Sequence, residues 1–172
     1  WHLTGSTSYR SASGVLDISA FEVLSGGSGS DTFNINGVQT YDLLGSGGDD
    51  RFIFGAGAEL KGTIAGGSHR FGDTLDYRVF TTNVNVNTAA GTATGTRGIS
   101  EIEVIVGGAG VNTITGDDGD NVLFGGPSDD TLIGGKGNDT YIFRDGWGND
   151  TVIEKPGEGS DTLDFSSLTA AT

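Results

Sequence analysis

The sequence predicts an all-β chain wound as a parallel β-solenoid, and three observations predict it. A nine-residue unit recurs six times in the second half; each unit sets a Gly-rich turn before a short Thr-apolar strand; and no segment of the 172 residues has a helical apolar period. The units read GGAGVNTIT (Gly107–Thr115), GDDGDNVLF (Gly116–Phe124), GGPSDDTLI (Gly125–Ile133) and GGKGNDTYI (Gly134–Ile142) without a gap. After a slip at Phe143-Arg144 comes DGWGNDTVI (Asp145–Ile153), and after a slip at Glu154-Lys155 comes PGEGSDTLD (Pro156–Asp164).

The unit explains itself physically. Glycines allow the left-handed backbone and close approach that a tight turn between stacked coils requires. The Asp or Asn ending each turn is followed by a strand whose middle residue is apolar: Ile114, Leu123, Leu132, Tyr141, Val152 and Leu163. One inward side chain per strand is what a stack of short rungs can hold.

The first half carries a looser version. GGSGSDTFN spans Gly26–Asn34, GSGGDDRFI spans Gly45–Ile53, and a longer turn, Gly66–Asp73, contains the insertion His69-Arg70-Phe71. The Asp positions, Asp31, Asp50 and Asp73, are 19 and then 23 residues apart, and strand-like stretches at 38–44 and 59–64 lie between them. Each coil there is expected to combine one Gly–Asp turn with one ordinary turn, and the His69 insertion is expected to spoil the third turn. The alternation at Val84 and Val86 within TNVNVNTAAGTATGT predicts a hairpin or edge strand. The chain thus divides into 1–106, an irregular solenoid with degenerate repeats, and 107–172, a regular array continuous with it.

Composition says what such a stack needs. Residues of the AVILMFWYC set make up only 34% while glycine fills 32 positions, so the apolar core is thin. Two prolines and no G-X-Y period exclude collagen. The formal net charge of −14 opposes compaction, makes nucleic acid and anionic membrane surfaces poor partners, and favours cations. With no cysteine and two histidines, His2 and His69, thiolate sites are excluded and soft-metal binding is disfavoured. No apolar run reaches membrane-spanning length and no signal peptide is present; opening on Trp1, the chain reads as a piece of a longer protein.

The units follow the pattern G-G-x-G-x-D-x-U-x (U apolar), which GGSGSDTFN and GGKGNDTYI match at every specified position. On these motifs the chain resembles the repeats-in-toxin (RTX), or haemolysin-type calcium-binding, family. The resemblance implies a right-handed parallel β-roll, with several Ca²⁺ ions held between turns stacked on the same side, every second repeat. On one side it would pair Asn112 with Asp130 and Asp130 with Asp150; on the other, Asn121 with Asp139 and Asp139 with Asp161. The turn glycines Gly107, Gly125 and Gly134 would present backbone carbonyls. A hard cation seeking six to eight oxygens suits such a set, and ions inside it would neutralise the carboxylates.

Departures from the pattern weaken particular sites. Asn112 and Asn121 replace Asp with a neutral oxygen; Asp117 and Asp118 stand nearby and Asp118 is a compensating candidate. Ser128 follows Pro127 where Gly is expected, and Ser46 breaks a first-half turn, leaving Asp31 and Asp50 as the first-half candidates. The family further implies type I secretion from a Gram-negative bacterium, folding on calcium outside the cell, and a monomeric module.

Metal-free turn chemistry is the bland alternative for any single Gly–Asp turn. A structural or adhesive segment of a cell-surface protein, with a cell-surface or glycan partner, is the second reading. A polysaccharide-active β-helix is the third, disfavoured because the nine basic residues show no cluster in sequence. There is no G-x-S-x-G, no H-E-x-x-H and no phosphate-cradling loop, so no enzyme is expected. Trp147 is expected to pack over the solenoid, and His69 beside Asp73 to be structural.

Overall fold

A computed structural model describes residues 21–169 and the backbone of two further strands, Ser8–Ser11 and Gly14–Asp17, which pair antiparallel. His2 lies outside the described residues. Every regular element among them is a β-strand. The frame is one seven-stranded parallel sheet running through both halves: Thr32–Ile35, Arg51–Phe54, Thr74–Asp76, Val104–Val106, Val122–Phe124, Thr140–Ile142 and Thr162–Asp164 in spatial order. Its register stacks Phe33, Phe52, Leu75, Ile105, Leu123, Tyr141 and Leu163 in one inward column. All but the terminal Leu163 are buried.

What faces this sheet changes along the chain. In the second half a single opposing sheet, Asn85–Asn87, Thr113–Thr115, Thr131–Ile133 and Thr151–Ile153, stacks Val86, Ile114, Leu132 and Val152 in parallel register. In the first half a coil has three sides. The short pair Val38–Gln39 and Glu59–Leu60 forms one, and the sheet of Val23–Ser25, Asp42–Gly47, Thr63–Ser68 and Gly98–Ser100 forms another. Two ordinary corners per coil, and not one, therefore accompany each Gly–Asp turn there. The left-handed glycines Gly37 and Gly57 stand at corresponding corners, just before Val38–Gln39 and Glu59–Leu60.

The interior follows this geometry. A three-sided coil encloses more space, and aromatic rings fill it: Phe33 stacks on Phe52 at 5.1 Å, and Phe54 on Tyr77 at 4.7 Å with Phe80 edge-on to both. The two-sided coils hold little more than Ile114, Leu123, Leu132 and Tyr141, all buried. Tyr141 is the one ring among these four. The regular half therefore has the thinner apolar core, and it is the half with the denser Gly–Asp turns.

The stretch at 82–96 is a hairpin, as its alternation predicts: Asn85–Asn87 pairs antiparallel with Thr92–Ala93. The same strand pairs in parallel with Thr113–Thr115, so the hairpin starts the second opposing sheet. Trp147 is partly buried beside Phe143 and Phe165, at centroid distances of 5.9 and 6.2 Å, and packs onto the core as expected.

Candidate metal centres

The Asp that ends each Gly–Asp turn sits two residues before an inward-column residue, so the parallel register stacks these acids into ladders. On the seven-stranded side the backbone N–H of Asp31 donates to Asp50 Oδ1 at 2.7 Å, that of Asp50 to Asp73 Oδ1 at 2.6 Å, and that of Asp73 to Glu103 Oε2 at 2.9 Å. Farther along, the Asn121 N–H donates to Asp139 Oδ1 at 2.8 Å and the Asp139 N–H to Asp161 Oδ1 at 3.1 Å. On the opposing side Val84 donates to Asn112 Oδ1 at 2.9 Å, Asn112 to Asp130 Oδ1 at 2.7 Å, and Asp130 to Asp150 Oδ1 at 2.9 Å. Each bond ties a coil to the next, and each uses only one carboxylate oxygen.

The other oxygen is the telling one. Asp50, Asp73, Asp130 and Asp139 are at most 1% exposed, and in all four Oδ2 is buried with no hydrogen-bond partner. An unpaired buried carboxylate oxygen is costly and native proteins rarely keep one without a counter-charge. Burial pushes the carboxyls of Asp130 and Asp139 up to about 6; the charge of Asp150 adds to the first, and those of Glu154 and Asp161 to the second. Burial likewise raises Asp50, Asp73 and Asp150. Four oxygens in this condition are what a set of cation ligands looks like without its cation, so the residues fit Ca²⁺ on their own geometry.

The first glycine of each turn makes the room. A Cβ at Gly45, Gly125 or Gly134 would collide with Oδ2 of Asp50, Asp130 or Asp139 respectively, and one at Gly26 would lie 2.6 Å from Asp31 Oδ2. At Gly116 a Cβ would meet Asn121 Oδ1, and at Gly107 it would meet Gly125 O, with Asn112 Nδ2 at 3.1 Å. Asn112 is internally satisfied: its amide donates to Gly108 O, Gly125 O and Asp130 Oδ1, each at 3.0 Å. That end of the ladder carries an amide where its neighbours carry charge.

Several placements differ from expectation. The His69 insertion does not spoil its turn; it bulges outward, and Asp73 stays fully buried in the ladder. Nor does Ser46 break the preceding one, for it takes a left-handed φ of 80° and leaves Asp50 in register. Asp118 is not gathered with the ladders: its side chain is 78% exposed and pairs with Lys136 at 2.5 Å. Three of the nine basic residues do come together: Arg51, Arg78 and Arg144 line a cleft over Val104, Val122 and Phe124 on the outer side of the seven-stranded sheet, with Arg51 and Arg78 paired to the buried Asp76 at 2.5 and 3.0 Å. Chain order separates these arginines, and only the coil register brings them together.

Two acids escaped the sequence reading. Glu103 stands two residues before Ile105, in the ladder position, but no glycine turn announces it. Glu154, in a slip between units, turns inward, accepts the Tyr141 hydroxyl, and keeps Oε2 buried without a partner. Its ligand atom lies within 4.8 Å of those of Asp139 and Asp161. The signal was the alternation, since Glu154 stands two residues after the inward Val152, where the gapless units carry Gly116, Gly125 and Gly134.

The residue before each ladder position also has a task. Asn138 donates its N–H to Asp120 Oδ1 at 2.7 Å, Asn149 to Asp129 Oδ1 at 2.9 Å, and Ser160 to Asn138 Oδ1 at 3.1 Å. This outer row runs in the opposite sense to the inner one, from each coil back to the coil before. No curated protein matches the chain. Against protein-family models, residues 102–141 match the RTX calcium-binding nonapeptide repeat in four copies. The match covers the ladder from Ile102 to Tyr141, with Asp130 and Asp139 inside it and the units of Asp150 and Asp161 beyond it. Residues 102–141 are thus similar to RTX calcium-binding nonapeptide repeats, and they lie in a β-solenoid that extends on both sides.

Proposed function

We propose that this chain is a calcium-binding structural module of a larger secreted bacterial protein, which folds fully on meeting Ca²⁺ outside the cell. The observation that carries this reading is the set of buried Oδ2 atoms of Asp50, Asp130 and Asp139 that have no hydrogen-bond partner. Several ions would be bound, between Asn112, Asp130 and Asp150 on one side and among Asn121, Asp139, Glu154 and Asp161 on the other. In the first half Asp31 and Asp50 would hold further ions. The module is non-catalytic and monomeric, and the parent's activity lies outside it. Residues 1–106 and 107–172 act as one continuous stack.

The energetics support a switch. Extracellular calcium modules bind at about 10⁻⁴–10⁻³ M, and an ion at ten times its Kd adds about 1.4 kcal/mol to the native state. Several such sites match the marginal stability of a domain, on the order of 5–15 kcal/mol. Circular dichroism and thermal melting in excess EGTA and in millimolar Ca²⁺ test the proposal, with metal content giving the stoichiometry. The melt is expected at a much higher temperature and with a steeper transition in calcium than in EGTA, and identical spectra and melting temperatures in the two buffers overturn it.

A second reading, an adhesive segment with an acidic glycan partner, is favoured by the Arg51–Arg78–Arg144 cleft. Retention of the calcium-loaded chain on an acidic polysaccharide, lost in Arg78→Ala/Arg144→Ala, is the result that reading requires.

A further inference from the structure

We propose that His69, Asp73 and Glu103 form a site for a divalent first-row transition ion, with zinc the best match, separate from the all-oxygen calcium positions. His69 and Asp73 come from the same turn, four residues apart, and Glu103 comes from the coil that follows the 82–96 hairpin. His69 Nδ1 lies 3.1 Å from Glu103 Oε2 and 3.8 Å from Asp73 Oδ2. One ligand atom from each falls within 4.8 Å of the others. Ligands held tetrahedrally at about 2.0–2.2 Å from zinc lie about 3.4 Å apart, between the two distances seen.

Asp73 supplies the independent sign of a ligand. It is fully buried, its Oδ1 is used by the Asp50 N–H, and its Oδ2 has no hydrogen-bond partner and faces the imidazole. A histidine–glutamate ion pair alone would leave that oxygen orphaned.

The surroundings hold the donors in place. Asp49 accepts the N–H groups of Arg70 and Phe71 at 2.8 and 2.7 Å, which pins the turn that carries His69. Glu103 Oε2 accepts the Asp73 N–H at 2.9 Å. Such outer hydrogen bonds orient ligands and raise affinity. Three protein donors leave coordination positions open, and these face a cleft of about 740 Å³ lined also by Thr88, Asp117, Asp118 and Asp120. Its acids draw cations towards the site.

Donor chemistry decides the metal. Carboxylates and carbonyls suit calcium, whereas an imidazole among them favours zinc and its neighbours. His69 is the only histidine among the described residues, so the ladders elsewhere lack this preference.

The test uses the full chain in saturating Ca²⁺, titrated with Co²⁺ as a spectroscopic substitute and then with Zn²⁺. One equivalent of Co²⁺ is expected to give a visible absorption band that Zn²⁺ removes stoichiometrically. His69→Ala should abolish the band and weaken Zn²⁺ binding by more than about 100-fold, with the calcium titration and circular dichroism unchanged. His69→Gln, which keeps the side-chain bulk, should behave alike, and His2→Ala should retain the band. No band in the wild type, a band surviving both His69 changes, one lost in His2→Ala, or one competed away by Ca²⁺ overturns the proposal. The calcium reading stands or falls on its own titration, so the two failures are distinguishable.

Discussion

Asp139→Asn should stabilise the chain in EGTA and destabilise it in calcium. The side chain is fully buried, and its carboxyl is pushed up to about 6 from 3.8, first by burial and then by the charges of Glu154 and Asp161. An acid with a raised folded-state pKa penalises the native state above that pKa and ceases to do so below the unfolded value. The penalty is therefore absent below about pH 4, grows between 4 and 6, and is full at pH 7.5. Two pKa units amount to about 3 kcal/mol. Asparagine removes this charge and keeps the oxygen that accepts the Asn121 N–H. Its new NH₂ must find a partner in the pocket, which costs about 1–2 kcal/mol where the match is poor. A net gain of about 1–3 kcal/mol in EGTA at pH 7.5 follows. With calcium the sign inverts, because a charged ligand is gone. Urea denaturation of both proteins at pH 7.5 and pH 4, each with EGTA and with Ca²⁺, measures the four differences. If the variant is weaker than wild type in EGTA at pH 7.5, the carboxylate is not held against a desolvation cost and the account of the ladder fails.

Gly125→Ala should weaken calcium binding at least tenfold without changing any charge, because its methyl takes the space of Asp130 Oδ2 and would lie 2.8 Å from the Asp130 Cβ. Gly29→Ala, where a methyl meets nothing within 4 Å, is the matched control in the same calcium titration. Leu123→Ala, in the buried column between Ile105 and Tyr141, should cost about 2–5 kcal/mol in calcium-loaded urea melts. A cost below 1 kcal/mol would show that the roll does not depend on that column.

The regular half was legible in the sequence because each unit carries its own instructions. Gly125 or Gly134 opens the turn, Asp130 or Asp139 closes it, and Leu132 or Tyr141 points inward, all within nine residues. The first half was legible only in outline. Its three-sided coils depend on corners such as Gly37 and Gly57, which look like ordinary turn glycines until the coils are stacked. Glu103 and Glu154 were invisible for a related reason. A ladder position is defined by register with a neighbouring coil, and in these two places the local motif was missing while the register was kept. The insertion at His69 misled in the opposite direction, since a broken motif suggested a broken turn, yet an outward bulge costs the stack nothing. The arginine cleft also exists only after stacking, since its three residues are far apart in the chain.

The opposed senses of the two hydrogen-bonded rows bear on how such a protein can change its length. Successive partners within the gapless units 107–142 lie 18 residues apart, on the inner row as on the outer, and the slips beyond them widen the spacing to 20 and 22. Removing one full coil therefore rejoins each donor to an equivalent acceptor and returns every side chain to its own sheet. Removal of a single nine-residue unit would move all later residues to the opposite sheet and set the amide-bearing rungs against the wrong acids. Duplication and loss by pairs of units is thus the path of least disruption, and the module can be lengthened or shortened like a stack of interchangeable plates. The seam where three sides become two does not share this freedom, because no other coil among the described residues has its shape.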